Sequence, residues 1–196
     1  MSQEQQATSH GQRRVSVAVI GDAQVATGSA RDRLAEDIGR ALVDAGYRVI
    51  TGGLSGVMEA ACRGARASKN WFEGATVGIL PGSDARSANQ YVDLAIPTGL
   101  DHGRNQLVAQ SQAIIAIGGG AGTLSEIAFA WIHRRLIIAM RCGGWSERLA
   151  DTRIDRRVRY PDFPADRVFG ADSAEQAMAI LARHIRRHNG NHGRIR

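Results

Sequence analysis

The sequence contains very little cysteine, which excludes two classes of protein. Cys62 and Cys142 are the only cysteines among 196 residues, and they form no C-x-x-C pair. A disulfide-stabilised scaffold and a cysteine-based zinc site both need more cysteines at closer spacing. We therefore expect no metal site and a reducing, cytoplasmic location.

Lysine and aromatic residues are also scarce. Lys69 is the only lysine, and aromatic residues make up 5% of the chain. Pyridoxal phosphate needs a lysine for its Schiff base, and Lys69 lies just before a predicted strand, at the wrong end of the sheet for catalysis. The net charge of +6 would suit nucleic acid, but the positive residues are dispersed and no aromatic stacking platform accompanies them. Neither pyridoxal phosphate chemistry nor nucleic-acid binding is favoured.

Long hydrophobic runs are absent as well. No apolar stretch approaches the length of a membrane span, so we expect no membrane association. Residues 1–14 are polar and lack the apolar core of a signal peptide, which predicts a disordered tail. The hydrophobic content of 43% supports one packed domain over residues 15–187, followed by a frayed tail at residues 188–196.

Short apolar runs alternate with amphipathic segments along the chain. The apolar runs predict buried strands at residues 15–20, 47–50, 75–80, 93–96, 113–117 and 136–140. Helices are predicted to begin near Ser29, Val57, His102, Gly122 and Ser173, and the charged residues 153–167 are predicted to form a surface loop. This alternation predicts an α/β fold: a single-domain three-layer sandwich with a mostly parallel sheet and helices on both faces.

A run of glycines directly after the fifth predicted strand gives the strongest functional signal. Its members are Gly118, Gly119, Gly120 and Gly122. Without a Cβ, they let the backbone approach a ligand closely. Thr123 is predicted to open a helix, whose first amides lack internal partners and whose dipole attracts anions. We therefore predict a phosphate site formed by the amides from Gly119 to Thr123. The alternative is a plain turn followed by a capping box of Thr123 and Glu126.

Further glycine-rich bends follow the neighbouring strands. Gly52, Gly53 and Gly56 follow the second predicted strand and precede a helix. Gly82 and Gly99 follow the third and the fourth. Because the carboxyl ends of parallel strands meet at one edge of a sheet, these bends are expected to converge on one crevice. The bend from Gly52 to Gly56 is therefore a second candidate ligand loop.

One charged pair is expected near the glycine run. If Thr123 caps its helix, Glu126 lies in the first turn, where the dipole stabilises an ionised carboxylate. Arg104 lies in the opening turn of its own predicted helix, where a positive charge is disfavoured unless an anion compensates it. A ligand phosphate or Glu126 could be that anion. The alternative for Arg104 is a solvated side chain that merely begins a helix.

Four motifs together resemble one known family, the LOG superfamily of Rossmann-like proteins. They are Thr51-Gly52-Gly53, Gly56-Val57-Met58-Glu59-Ala60-Ala61, His102-Gly103-Arg104-Asn105 and Gly118-Gly119-Gly120-Ala121-Gly122-Thr123-Leu124-Ser125-Glu126. The resemblance covers roughly residues 15–145. The superfamily includes cytokinin-activating phosphoribohydrolases, molybdenum cofactor carrier proteins and, more distantly, the DNA-processing protein DprA. It implies a Rossmann-like fold.

Two departures separate this chain from the phosphoribohydrolase branch of that superfamily. That branch has PGGxGTxxE and H-x-R-K motifs, whose catalytic arginine and glutamate correspond to Arg104 and Glu126. Here Gly118 replaces the proline and Asn105 replaces the lysine. The GGGxGT form and the later Gly143-Gly144-Trp145 are more similar to the cofactor-carrier branch.

The resemblance implies two leading hypotheses for function. In the first, the chain binds a phosphorylated nucleotide-like or pterin ligand, with molybdenum cofactor a candidate, through the GGGxGT loop and breaks no bond. In the second, it is a nucleoside 5′-monophosphate phosphoribohydrolase that cleaves the N-glycosidic bond. Glu126 would then stabilise the oxocarbenium-like transition state or activate water, and Arg104 would orient the phosphate or that carboxylate.

The helix predicted at residues 122–134 is apolar on nearly every side. One face of a sheet covers only part of such a surface. We therefore predict a homo-oligomer, at least a dimer, with this helix near the contact. The alternative is full burial of the helix within one subunit.

Overall fold

Short apolar segments form a seven-stranded sheet at the centre of the protein. A computed structural model of the chain describes residues 13–189, so most of the tails expected at residues 1–14 and 188–196 lies outside the described residues. The strands are β1 (Ser16–Gly21), β2 (Arg48–Thr51), β3 (Thr76–Leu80), β4 (Leu94–Pro97), β5 (Ala113–Ile117), β6 (Leu136–Met140) and β7 (Phe169–Ala171). They pair in the order β4-β3-β2-β1-β5-β6-β7, and every pair is parallel.

Helices cover both faces of the sheet. They are α1 (Ala30–Asp44), α2 (Val57–Arg66), α3 (Asn105–Val108), α4 (Ala121–Ile132), α5 (Gly144–Leu149) and α6 (Ala174–Asn189), with 3₁₀ helices at Ala85–Ser87 and Asp101–Arg104. Because side chains alternate along a strand, β5 sends Ile115 into a core with α1, α2 and α6. Its neighbour Ile114 packs into a second core with α3 and α4. The predicted three-layer α/β fold is confirmed.

The order of the strands determines where a ligand can bind. The chain runs outward from β1 through β2 and β3 to β4, and then returns to place β5 beside β1, with Val17 opposite Ala113. The crossovers from β1 and from β5 therefore diverge to opposite sides. A crevice opens outside the carboxyl ends of these two strands, which is where doubly wound sheets bind ligands.

Most predicted strands agree with the structure within one residue, and the differences have physical causes. β7 has only three residues, too few to show a periodic pattern, and α5 begins at Gly144, where no helix was predicted. The frayed tail was predicted from residue 188, but α6 continues through Asn189 and His188 is fully buried. The His188 ring contacts Asp166, and a single sequence does not reveal such a partner.

A buried arginine ties the predicted surface loop to α4. Residues 153–167 contain no helix or strand. The side chain of Arg159 is fully buried, and it donates to both carboxylate oxygens of Asp166 at 2.7 Å. It also donates to the carbonyl of Arg135 at 3.0 Å and stacks over the Trp131 ring at 3.8 Å. This ion pair holds the loop against the carboxyl end of the helix that forms the site.

We expect Asp166→Ala to destabilise the fold strongly. Removing one partner leaves the Arg159 charge buried without compensation, which typically costs about 3–5 kcal/mol. Urea unfolding followed by circular dichroism measures the change. The matched control is Asp162→Ala in the same loop, because the ion pair of Asp162 with Arg187 is exposed and should contribute little. Equal destabilisation by the two substitutions would contradict this account of the loop.

Candidate functional site

A cavity of about 490 Å³ lies at the crevice between β1 and β5. The loop after β2, the loop after β3, the 3₁₀ segment before α3 and the start of α4 complete its wall. Its polar lining residues are Asp22, Asp101, His102, Arg104, Asn105, Thr123 and Glu126, and Gly52, Gly120 and Gly122 also line it. Of the glycine bends predicted to converge on one crevice, those at Gly52 and at Gly120 to Gly122 line the cavity, and Gly82 and Gly99 do not.

The first two glycines after β5 use their amides within the protein. The amide of Gly118 donates to Ser146 Oγ at 2.8 Å, and the amide of Gly119 donates to Asp22 Oδ1 at 3.0 Å. Neither glycine lines the cavity. The prediction that the Gly119 amide faces a ligand is therefore wrong, and Gly118 fixes the loop instead of binding.

The start of α4 lies further upstream than the sequence predicts. Gly120 is the N-cap and the helix begins at Ala121, so Thr123 is its third residue and not its cap. The Thr123 hydroxyl donates to the carbonyl of Gly21 at 3.2 Å, which joins α4 to the end of β1. Both the predicted helix opening and the capping box are therefore wrong. The motif resembled a cap because threonine is common at that position.

Four amides at the start of α4 remain without an acceptor. No described residue accepts a hydrogen bond from the backbone N–H groups of Gly120, Ala121, Gly122 and Thr123. Gly120, Gly122 and Thr123 line the cavity. A helix of 12 residues also has its positive dipole end there. The arrangement fits an anion better than any neutral group.

Arg104 reaches this cavity from the last residue of a 3₁₀ helix. Its guanidinium lies against the backbone of Gly52, where a Cβ would be 2.2 Å from Nη1. Only a glycine therefore leaves room for it. Among the described residues, its guanidinium has one hydrogen-bond partner, Glu126 at 3.5 Å, and the side chain is only 11% exposed. Arg104 therefore has donors to spare for a ligand.

Glu126 is a buried carboxyl with an unusual affinity for protons. Because α4 begins at Ala121, Glu126 lies in the second turn, and the prediction that it lies in the first turn is wrong. Burial raises the pKa of Glu126 to about 7, and the charge of Arg104 offsets only part of that rise. Burial also lowers the pKa of Arg104. Protonated and ionised Glu126 therefore coexist near neutral pH.

Asn105 contributes an acceptor that sequence analysis did not assign. Ser125 donates its hydroxyl hydrogen to the carbonyl of Gly122, so its oxygen must accept from the Asn105 amide group at 2.8 Å. This fixes which end of the Asn105 amide is Oδ1. No described residue donates to Oδ1, and the side chain lines the cavity although Asn105 is only 4% exposed. Asn105 was noted in the sequence only as a departure from a lysine.

Two glycines predicted as ligand contacts do not line the cavity. Gly53 has a φ of 76° and its amide donates to the Thr51 hydroxyl. Gly56 is the N-cap of α2, and a Cβ there would lie 2.4 Å from the carbonyl oxygen of Asp22. Both glycines shape the loop that carries Gly52. Within this predicted loop, Gly52 reaches the cavity, as does Leu54.

The described part of the chain provides neither a metal centre nor a membrane helix. Within residues 13–189, no three His, Cys, Asp or Glu side chains are grouped so that they could hold a metal ion. In the same range, no helix combines the length and apolar character that crossing a bilayer requires.

Comparisons with known proteins agree with the fold. The SLOG cluster4 family model matches residues 14–176. An uncharacterized protein of Archaeoglobus fulgidus is 40% identical over 110 residues, which are 56% of this chain and 70% of that protein. The molybdenum cofactor binding protein of Rippkaea orientalis is 30% identical with a TM-score of 0.73, over 89% of this chain and 99% of that one.

A second solved structure is also similar to this chain. The molybdenum cofactor carrier protein of Chlamydomonas reinhardtii is 26% identical with a TM-score of 0.69, over 87% of this chain and 98% of that one. These matches confirm the resemblance to the LOG superfamily near its cofactor-carrier branch. Because the family model matches well over half of the sequence, the chain belongs to the SLOG cluster4 family.

Proposed function

We propose that this protein binds a phosphorylated small molecule, a nucleotide or a pterin, and holds its phosphate at the start of α4. The observation that carries the proposal is the set of unpaired amides from Gly120 to Thr123 beside Arg104 in one cavity. Phosphate oxygens accept several hydrogen bonds at once, and a helix N-terminus favours their charge. Arg104 adds a positive charge and free donors.

Molybdenum cofactor is a specific candidate for this ligand. Two structural relatives are named as proteins that bind or carry it. The cofactor has a phosphate group, which the amides of α4 and Arg104 suit. Asn105 Oδ1 and Glu126 offer acceptors for N–H or O–H donors elsewhere on such a ligand. In this role the protein releases its cargo unchanged.

Glycosidic hydrolysis of a nucleoside 5′-monophosphate is the second candidate. It is favoured by one observation, the buried Glu126 with a pKa near 7 within 3.5 Å of Arg104. A carboxyl of that pKa can accept a proton from an attacking water at neutral pH. As an anion it can stabilise positive charge that develops on the ribose. Water then supplies the hydroxyl of ribose 5-phosphate, and the base leaves with a proton.

We expect the purified protein to bind AMP or GMP without releasing the free base. Calorimetry measures binding, and chromatography measures base and ribose 5-phosphate after incubation. The variants are Glu126→Gln and, as a control, Glu73→Gln, because Glu73 is exposed and distant from the cavity. Base release that only Glu126→Gln abolishes would establish the hydrolase instead. If no nucleotide binds and no pterin co-purifies with the protein, ligand binding at this site is refuted.

We expect Gly52→Ala to weaken phosphate binding at least tenfold, because the new Cβ occupies the position of the Arg104 guanidinium. Gly82→Ala is the matched control, since a Cβ at Gly82 meets no atom within 4 Å. Calorimetric titration with AMP, or with molybdenum cofactor, measures both variants. Thermal unfolding verifies that each is folded. Equal affinities for the two variants would show that Arg104 does not contribute to phosphate binding.

We also propose that the protein forms a homo-oligomer, at least a dimer, through α3 and α4. Ile132 of α4 is 53% exposed and Leu107 of α3 is 42% exposed. Leu124 and Phe129 of α4 are also only partly buried. An apolar surface of this kind on two adjacent helices is typical of an interface.

We expect the wild-type protein to sediment as a dimer or larger species at micromolar concentration. Leu107→Glu combined with Ile132→Glu should shift it to a monomer, because each substitution places a charge in the apolar contact. Val158→Glu is the control, since Val158 is exposed but lies in the loop at residues 153–167. A monomeric wild-type protein would rule out the oligomer.

A further inference from the structure

A carboxylate lies beside the proposed phosphate site, and each of its oxygens accepts a hydrogen bond from within the protein. Asp22 follows β1 directly and lines the cavity. Its Oδ1 accepts from the amide of Gly119 at 3.0 Å, and its Oδ2 accepts from Arg31 Nη1 at 2.8 Å. The residue after Gly119 is Gly120, whose amide is the first of the unpaired donors. Asp22 therefore orients the loop that presents those amides.

This arrangement has an electrostatic cost for an anion-binding site. A lone carboxylate so near a bound phosphate would repel it through a partly buried medium, where charges are weakly screened. Arg31 is the nearest compensating charge. It reaches Asp22 from the first turn of α1 and does not line the cavity. Contact with a ligand is therefore not the role of Arg31.

A hydrogen bond holds Arg31 in place, and two glycines leave room for Arg31 and Asp22. Arg31 Nε donates to the carbonyl of Cys142 at 2.8 Å. A Cβ at Gly143 would lie 2.4 Å from Arg31 Nη2, and a Cβ at Gly118 would lie 2.2 Å from Asp22 Oδ2. Two glycines with positive φ thus make room for this pair. The pair connects β1, α1 and the loops after β5 and β6.

We propose that Arg31 is a positioning residue that sets the anion affinity of the cavity by neutralising Asp22, while Asp22 holds the Gly119 amide. This inference rests on the proposed phosphate site at the start of α4. In this arrangement the loop gains a strong acceptor for Gly119 without presenting a net negative charge to the ligand. A merely structural ion pair would stabilise the loop, but the affinity for an anion would not depend on the charges of Arg31 and Asp22.

The test is a double-mutant cycle with AMP as the ligand, measured by calorimetry at low salt on the full-length protein. We expect Arg31→Gln to weaken AMP binding about tenfold, because the Asp22 charge is then uncompensated. Asp22→Asn keeps the Oδ1 acceptor for Gly119 and should bind AMP more tightly than the wild type. The double variant Arg31→Gln/Asp22→Asn should regain at least half of the loss in the logarithm of AMP affinity that Arg31→Gln causes.

Two controls separate charge from general disruption. Arg33→Gln makes the same change in net charge on the same helix. Because Arg33 is exposed and does not line the cavity, this variant should bind AMP as tightly as the wild type. Arg31→Lys keeps the charge and should stay within about threefold of the wild type. The loss caused by Arg31→Gln should also shrink at high salt.

The results that would overturn the role of Arg31 differ from those that would refute the proposed phosphate site. If the wild type does not bind AMP, inorganic phosphate or molybdenum cofactor, the phosphate site itself is refuted and this inference with it. If the wild type binds but the double variant is as weak as Arg31→Gln or weaker, the inference alone is overturned. The same holds if Arg31→Lys is as weak as Arg31→Gln.

Discussion

Four backbone amides that find no acceptor among residues 13–189 are the constraint around which this site is built. They exist because the first turn of any α-helix leaves its N–H groups unpaired, and the placement of β5 beside β1 directs that turn at the crevice. The preceding amides already donate to Ser146 and to Asp22. In the proposed function, an anion from outside the protein is the acceptor that completes the arrangement.

The second candidate function depends on the protonation state of one buried carboxyl, Glu126. A bound phosphate adds negative charge next to Glu126 and so favours its protonated form. Water activation or oxocarbenium stabilisation needs the ionised form. Because burial brings the pKa of Glu126 to about 7, neither form dominates strongly at neutral pH. A bound phosphate therefore works against the ionised form that hydrolysis needs, and this holds for either candidate ligand because both carry a phosphate.

The sequence predicted features that depend on local pattern and missed those that depend on distant contacts. β5 and β6 were predicted residue by residue, because each is an apolar run bounded by polar residues or glycine. The start of α4 was misplaced because its N-cap is a glycine, which has no side chain to signal a cap. The role of Asp22 requires that β1 and β5 be neighbours, and no pattern within one segment reveals that adjacency.

The substitution of Gly118 for the proline of the phosphoribohydrolase motif has a definite structural consequence. Gly118 has a φ of 65° and its N–H donates to Ser146. A proline has a φ near −65° and no N–H, so it could reproduce neither feature. Ser146 belongs to α5, which begins within the Gly143-Gly144 pair: Gly143 is the N-cap and Gly144 the first helical residue. The glycine run and this pair therefore act together: the loop after β6 anchors the loop after β5. A proline in place of Gly118 could not form this anchor.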